Sequence, residues 1–402
     1  MKVAIITERA NITLGGAEKS VFELAAAMVL AGVDAKILAA TGTAHSNRVK
    51  VLCDSTKKRV SLKTFEKALK QHLSENHYDI IHSTLPYAFA DIYQPRGGSY
   101  PEAAIRNASS YKRTTVRFFK LFTSFANIKR TVLARAEKKL CRLARRSLGE
   151  GGKQDGPIVA ALSEYVKIQF KKHYNLPDER ICIIPNGIKP AHNINKTRSD
   201  KLRSQILAQL KLKEAQQPVF FVFAAHNFRL KGLVPLIRAM KILTEKLTKR
   251  PPYLVAVGKG SVAKYRRLCR KLKIADKVIF IGPTSHMQNV LDVTDVAVLP
   301  TYYDPSSRFI LEALAAGKPV ITTKYNGAAD LYTAERHGKI FDSPDDVDSL
   351  AEAMKYFCST ENIAAASKAI EDDDIETKVS IKTHCQKLLD LYDTIIENRT
   401  KK

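Results

Sequence analysis

The chain has 402 residues, enough for two or three domains. Its 45% apolar and 26% charged content is that of a globular protein with a real core, which excludes a disordered or collagenous chain. Sixty-six Lys and Arg against 40 Asp and Glu leave a net charge of +26, which demands an anionic partner: nucleic acid, an anionic membrane face or a phosphorylated substrate.

The apolar run in MKVAIITERA is too short for a signal-peptide core and reads as a first strand. No stretch reaches the roughly 18 apolar residues of a membrane span. The spacing predicts strand 2–7, helix 17–31, strand 35–40, helix 63–74, and short strands at 80–82 and 158–163. The pattern restarts with strand 219–225, helix 233–247, strand 253–258, helix 263–272, strand 278–281 and helix 287–293. Strand 296–300, helix 307–316 and strand 319–323 complete it, and 379–398 reads as a long final helix. Strands alternating with helices imply parallel, doubly wound sheets, and two such units in tandem imply two α/β domains with a ligand cleft between them. A polar link at 185–213, holding Pro185, Gly187 and Pro190, marks the boundary. Glu371, Asp372, Asp373 and Asp374 read as a solvated loop before the last helix rather than a metal site. Six scattered cysteines, with no C-x-x-C pair, read as reduced thiols without zinc.

Four segments can carry chemistry. In LPTYYDPSSRFILEALAAG (299–317), a strand ends at Pro300 and a helix starts near Ser306 or Ser307, with unpaired amides that suit a phosphate. Asp304 precedes that helix and Glu312 sits about a turn and a half into it, so both can face one ligand. The plain alternative is a helix cap and a surface residue. In FVFAAHNFRLKG, Arg229 and Lys231 lie on a loop at a strand end. They suit a diphosphate, or are ordinary surface charge. The loop 13–18, TLGGAE, lets the backbone approach a ligand closely. It is neither a Walker loop nor a dinucleotide fingerprint, and Gly258-Lys259-Gly260 also lacks the third glycine, which discounts a nicotinamide cofactor. The stretch 106–146 holds thirteen Lys or Arg and one acid, Glu137, with Phe118, Phe122, Phe125 and Val132 at helical spacing. A cationic helix with an aromatic edge suits an anionic membrane face or acidic lipid head groups. A packed helix with a solvated basic face, or a nucleic-acid surface, are the alternatives. His82 ends a strand where cleft residues collect, or is a structural histidine, and Arg96-Gly97-Gly98 follows it closely as possible cleft wall.

Together these residues resemble the retaining glycosyltransferases of family 4, with the two-domain GT-B fold. The family's E-x7-E before G-x-P-V is matched by Asp304-x7-Glu312 and Gly317-Lys318-Pro319-Val320. IPNGI (184–188), ALSE (161–164), Lys231-Gly232, VGKG (257–260) and GGAE (15–18) fall in family order. Within the family the chain is most similar to the lipopolysaccharide core glucosyltransferases that act on inner-core heptose. FKKHYNLPDERICIIPNGI and the basic insert after DIYQPRGG support that match.

The resemblance implies an α/β GT-B architecture of two Rossmann-like domains facing across a cleft. Residues 1–188 would bind acceptor and carry the basic insert 106–146. Residues 189–375 would bind nucleotide sugar, and 376–402 would form a helix crossing back to the first domain. It implies Asp304 near the donor sugar and Glu312 on the ribose hydroxyls, and His82, from its place at a strand end, is the further catalytic candidate. Backbone amides of Ser307, Arg308 and Phe309 would meet the diphosphate, with Lys231 as the phosphate lysine and Arg229 as its partner. Gly15, Gly16 and Gly258 would approach the donor. Arg113, Arg117, Lys120, Lys129, Arg130, Arg135, Lys138 and Lys139 would face membrane or acceptor. The expected activity is retaining transfer of a hexose, glucose from UDP-glucose, to an anionic glycolipid such as lipopolysaccharide core. The expected place is the inner face of the cytoplasmic membrane, with no metal cofactor and no nucleic acid. A non-hydrolysing sugar-nucleotide epimerase of the same fold, or a nucleic-acid-binding protein, are the alternatives. Asp304 in place of Glu, and Ser307 in place of the usual Gly, are departures from the family pattern.

Overall fold

A computed structural model describes residues 1–11, 15–44, 46–53, 60–146, 156–190, 194–246, 248 and 250–400. The chain divides into two compact units. The first holds Met1–Ala108, Arg113–Lys189 and Ile381–Lys402, and the second holds Ser109–Lys112 and Pro190–Ser380.

In chain order the first unit begins with β1 (Lys2–Ala10), α1 (Gly16–Leu30), β2 (Asp34–Gly42), β3 (Val49–Val51), α2 (Leu62–Glu75), β4 (Ile80–Ser83) and β5 (Ile92–Tyr93). The insert follows as three helices, α3 (Tyr100–Ser109), α4 (Thr114–Ala126) and α5 (Ile128–Arg146). Then come β6 (Ile158–Ala161), α6 (Glu164–Tyr174) and β7 (Ile181–Ile183). All strands pair in parallel in the order β3-β2-β1-β4-β5-β6-β7. Such a sheet must bury both faces, because its crossover helices lie on both. β1 reads accordingly as a continuous apolar run. Val3 and Ile5 pack with Val21, Leu24 and Met28 of α1, while Ala4 and Ile6 pack with Phe65 and Leu69 of α2.

The second unit holds α7 (Lys196–Leu210), β8 (Val219–Ala224), α8 (Leu233–Glu245), β9 (Pro252–Val257), α9 (Ala263–Lys271), β10 (Val278–Gly282) and α10 (Met287–Asp292). It continues with β11 (Val296–Leu299), α11 (Arg308–Ala315), β12 (Val320–Thr323), β13 (Gly338–Phe341), α12 (Val347–Tyr356), α13 (Thr360–Asp372) and α14 (Ile375–Lys378). The final helix, α15 (Ile381–Thr400), belongs to the first unit. The second sheet is again parallel, in the order β10-β9-β8-β11-β12-β13. Each unit is a doubly wound α/β sheet.

The periodic elements agree with the sequence to within one to three residues at their ends. Two readings need correction. The polar link 185–213 contains a helix, α7, started by the Asn195 side chain accepting from the Arg198 N–H. The acidic run is a helix junction rather than a solvated loop. Glu371 and Asp372 end α13, Asp373 pairs with Arg336 and His337, and Asp374 accepts from the Thr377 N–H at the start of α14.

Cys385, Leu388, Leu389 and Tyr392 of α15 join the core that α1 makes with the first sheet. The Ile381 N–H donates to the Ile188 carbonyl, and His384 Nδ1 donates to the Pro185 carbonyl at 2.6 Å. The last helix is therefore a core element of a unit whose other residues lie some two hundred positions earlier. Leu388→Ala is expected to cost about 2–5 kcal/mol by leaving a cavity in that core. Urea unfolding measures this, and an unchanged midpoint would show that α15 contributes no such packing.

Candidate active site

In the second unit the loops after β8 and β11 are stitched together at the C-terminal edge of the sheet. The Tyr302 N–H donates to the Leu230 carbonyl at 2.9 Å, and Thr301 Oγ1 to the same oxygen at 3.3 Å. Close approach here requires Gly232. Its φ is +83°, and a Cβ would lie 1.8 Å from the Pro300 carbonyl oxygen. Lys231 is thereby carried to the loop that precedes α11. Its Nζ donates to the Tyr303 carbonyl at 2.8 Å and to Asp304 Oδ2 at 2.6 Å. Both side chains are about four-fifths buried, so the pair is only weakly screened.

Asp304 is held by its backbone. Its N–H donates to the Tyr325 carbonyl and its own carbonyl accepts from Gly327, both at 2.9 Å. Ser307 caps α11, with Oγ accepting from the Ile310 N–H. Arg308 Nε donates to Glu312 Oε1 at 3.1 Å, one turn on, and Phe309 is buried. Asp304, Lys231, Ser307, Arg308 and Glu312 thus belong to one region, around the start of α11.

Sequence reasoning missed Asn326. This buried side chain accepts from the Ser307 and Ala328 N–H groups, each at 3.1 Å, and donates to Thr322 Oγ1 at 3.0 Å. It ties the end of β12 to the start of α11. The Asn326-Gly327 pair after a predicted strand was the available signal. Asn326 also corrects one expectation. The Ser307 amide, expected to meet a diphosphate, donates to the Asn326 side chain instead.

Other expected residues lie elsewhere. The Arg229 guanidinium sits 3.8 Å from the Tyr111 ring centroid and bonds Ser110. Gly258 has φ +146°, and a Cβ would lie 1.9 Å from the Ala225 carbonyl oxygen. Its N–H donates to the Gly282 carbonyl at 2.9 Å, so the glycine serves close strand packing. In the first unit, Gly15 precedes α1 and its carbonyl accepts from the Lys19 N–H, while Gly16 opens the helix. Thr13 and Leu14 of that loop lie outside the described residues. His82 is fully buried, with Nδ1 2.6 Å from the Tyr392 hydroxyl, so it braces α15 and does not line an open surface. Burial, then the charge of Arg96, lowers its pKa to about 3 and keeps it neutral.

The insert has a buried side and an open one. Leu140, Cys141 and Ala144 of α5 pack with Tyr93 and Phe170. On α4, Phe118, Phe119 and Phe122 are 71%, 63% and 82% exposed. The Phe125 side chain lies outside the described residues. Arg113, Lys129, Arg135, Lys138 and Lys139 are exposed, and Arg117, Lys120 and Arg130 are part-buried. Among the described residues no helix is long and apolar enough to cross a membrane.

The one acid of the insert, Glu137, is fully buried. It accepts from Tyr93 Oη at 2.8 Å, from the Tyr100 N–H at 2.9 Å and from the Tyr174 hydroxyl. Burial pushes its pKa from 4.5 up to about 7, against the pull of those three bonds. The folded chain therefore holds this proton more tightly than the unfolded one. Glu137 contributes stability that is fully present below pH 4.5 and is lost as pH rises to about 7. Urea unfolding across that window is expected to show this loss in the wild type and not in Glu137→Gln. Equal slopes in the two proteins would remove the assignment.

The fold narrows the class of protein, and comparison with known proteins gives the family. Residues 14–192 match the model for Glycosyltransferase Family 4, and residues 207–371 match that for Glycosyl transferases group 1. The chain belongs to the family 4 glycosyltransferases of the GT-B type. It is 27% identical to the lipopolysaccharide glucosyltransferase WaaG of Escherichia coli K12 over 187 residues, which is 46% of this chain and 49% of that protein. The chain spans about half the length of the curated relatives it matches. The crystal structure of WaaG, described as a glycosyltransferase involved in lipopolysaccharide biosynthesis, superposes with a TM-score of 0.70 at 19% identity, covering 97% of this chain and 99% of that one. The Anabaena protein HepE, solved with UDP-glucose, gives a TM-score of 0.67 at 17% identity, covering 98% of this chain and 100% of that one. At these identities the two structures establish the fold.

Proposed function

We propose that the protein is an enzyme that transfers glucose from UDP-glucose, with retention of configuration, onto an anionic glycolipid of the lipopolysaccharide-core kind. The observation that carries this reading is the Lys231–Asp304 pair at the loop leading into α11. During transfer the bond between the sugar's anomeric carbon and the β-phosphate oxygen breaks, and negative charge grows on the departing diphosphate. Lys231 supplies a point charge there, and the amino end of α11 supplies a partial one. Binding of the diphosphate exchanges Asp304 for phosphate on Lys231 and leaves the Asp304 carboxylate beside the donor sugar. Glu312, exchanging Arg308 in the same way, takes the ribose hydroxyls. No metal is assigned a part in this step. The relation to a named glucosyltransferase supports the donor sugar, and the UDP-glucose complex of a protein with the same fold supports the nucleotide.

Lys231→Ala is expected to weaken UDP binding by about 10- to 100-fold, the worth of one charged hydrogen bond to phosphate. Glu312→Ala is expected to abolish UDP-glucose turnover with the fold intact. Calorimetry with UDP and a turnover assay read both. Unchanged affinity and turnover in these variants would overturn the site.

The insert, in the same proposal, holds the enzyme on the inner face of the cytoplasmic membrane. The exposed phenylalanines of α4 enter the headgroup boundary and the cations of α5 meet acidic lipid. Replacing Arg135, Lys138, Lys139 and Arg142 with Gln should lower partition onto phosphatidylglycerol vesicles by at least about tenfold while leaving UDP affinity unchanged. A preference for duplex nucleic acid over these vesicles at matched salt would count against the membrane role.

A further inference from the structure

Positive charge is concentrated a second time, in the second unit. Residues 264–273, which span most of α9 and the turn after it, hold six cations and no acid: Lys264, Arg266, Arg267, Arg270, Lys271 and Lys273. All six are exposed. The Lys264 amine lies 4.8 Å from the centroid of the Tyr265 ring, and the Arg266 guanidinium 5.8 Å from that of Phe280. Among the described residues none of the six meets a carboxylate, and the next acid along the chain, Asp276, faces Lys277 at 3.9 Å.

The helix is fastened by its other side. Tyr265 and Cys269, one turn apart, are buried, and the Tyr265 ring meets Phe228 edge to face at 5.5 Å. Of the six exposed positions of α9, Ala263 alone is uncharged, so the outward side is a fixed array of cations. The stability of the helix does not account for this array. Lys264–Arg267, Arg266–Arg270, Arg267–Arg270 and Arg267–Lys271 stand three or four residues apart, where like charges repel. Lys264 and Arg266 lie near the positive end of the helix dipole, the N-cap Val262 gives no side-chain cap, and the first turn has no acid. Arg270 and Lys271, in the last turn, are the two that the dipole favours. The other cations oppose the local fold, and an anionic partner relieves that cost.

We propose that α9 is an attachment surface for a bilayer containing acidic phospholipid, carried by the second unit and separate in sequence from the insert. A bilayer offers a plane of anionic head groups, to which each nearby Lys or Arg adds attraction without a specific geometry. α9 exposes no aromatic side chain on which a base could stack, and it contains no Asn, Gln, Ser or Thr to read a base edge. It exposes no large apolar side chain either, so its adsorption is electrostatic and salt-dependent, without insertion. The choice of a bilayer over other polyanions rests in part on the membrane role proposed above for the insert. The charge array itself does not.

Co-sedimentation with mixed phosphatidylglycerol and phosphatidylcholine vesicles tests the surface. Replacing Arg266, Arg267, Arg270 and Lys271 with Gln is expected to lower partition by at least about tenfold, with UDP affinity unchanged. The urea midpoint of this variant should equal or exceed that of wild type, because like-charge pairs are removed. A lower midpoint would give the cations a folding role and count against the proposal. Replacing four exposed lysines placed elsewhere, Lys63, Lys67, Lys368 and Lys378, removes the same charge and should lower partition by less than about twofold. Undiminished partition of the α9 variant, an equal loss in the scattered variant, or a greater loss of duplex DNA binding than of vesicle binding in the α9 variant would each overturn the proposal. If the fourfold variant does not fold, the pair Arg266→Gln and Arg270→Gln decides, with undiminished partition counting against α9. The insert variant named above, measured in parallel, separates the two readings. Loss there with none in the α9 variant overturns α9 alone, the reverse overturns the role of the insert alone, and no adsorption of wild type overturns both.

Discussion

The second unit depends on how closely two loops can approach. Lys231 reaches Asp304 because the backbone at Gly232 lies against the Pro300 carbonyl, where no side chain fits. That contact joins the end of β8 to the end of β11, its neighbour in the sheet. Parallel pairing makes such meetings general, since every strand delivers its following loop to the same edge. The cation, the carboxylate and the amino end of α11 therefore share a region despite being some seventy residues apart.

Buried polar groups hold these loops in place. Asn326 satisfies two amides and a threonine hydroxyl, so the chain around α11 has little freedom to shift. Glu137 fastens the insert to β5 and α6 in the same manner, with three donors and no cation among its hydrogen bonds. A half-satisfied group at either position would cost more than an apolar one. These networks act as positioning devices, and their energetic value lies in geometry more than in net stability.

Much of the architecture was legible in the sequence. Long periodic segments such as α1, α8 and α11 carry their own signal, and so do the all-apolar strands β1 and β8. Short elements did not. β5 has two residues and β7 three, too few to establish a period, and the polar face of α7 hid that helix inside an apparent linker. Residue type and spacing pointed to Lys231, Asp304, Ser307 and Glu312, which the structure gathers around the start of α11. Remote partners left no such trace. Arg229 stands two residues from Lys231, yet it stacks on Tyr111, and His82 sits at a strand end but is sealed beneath Tyr392.

The sequence by itself determined the alternation of strands and helices, the charge of the insert and the run of family motifs, because each depends on residues close together in the chain. Only the tertiary structure decided which polar groups are spent on one another. Asn326 taking the Ser307 amide, Ser20 and Asn186 gripping Arg96, and α15 returning to the first unit are contacts between distant segments. They form because burial obliges each donor and acceptor to find a partner wherever folding brings one.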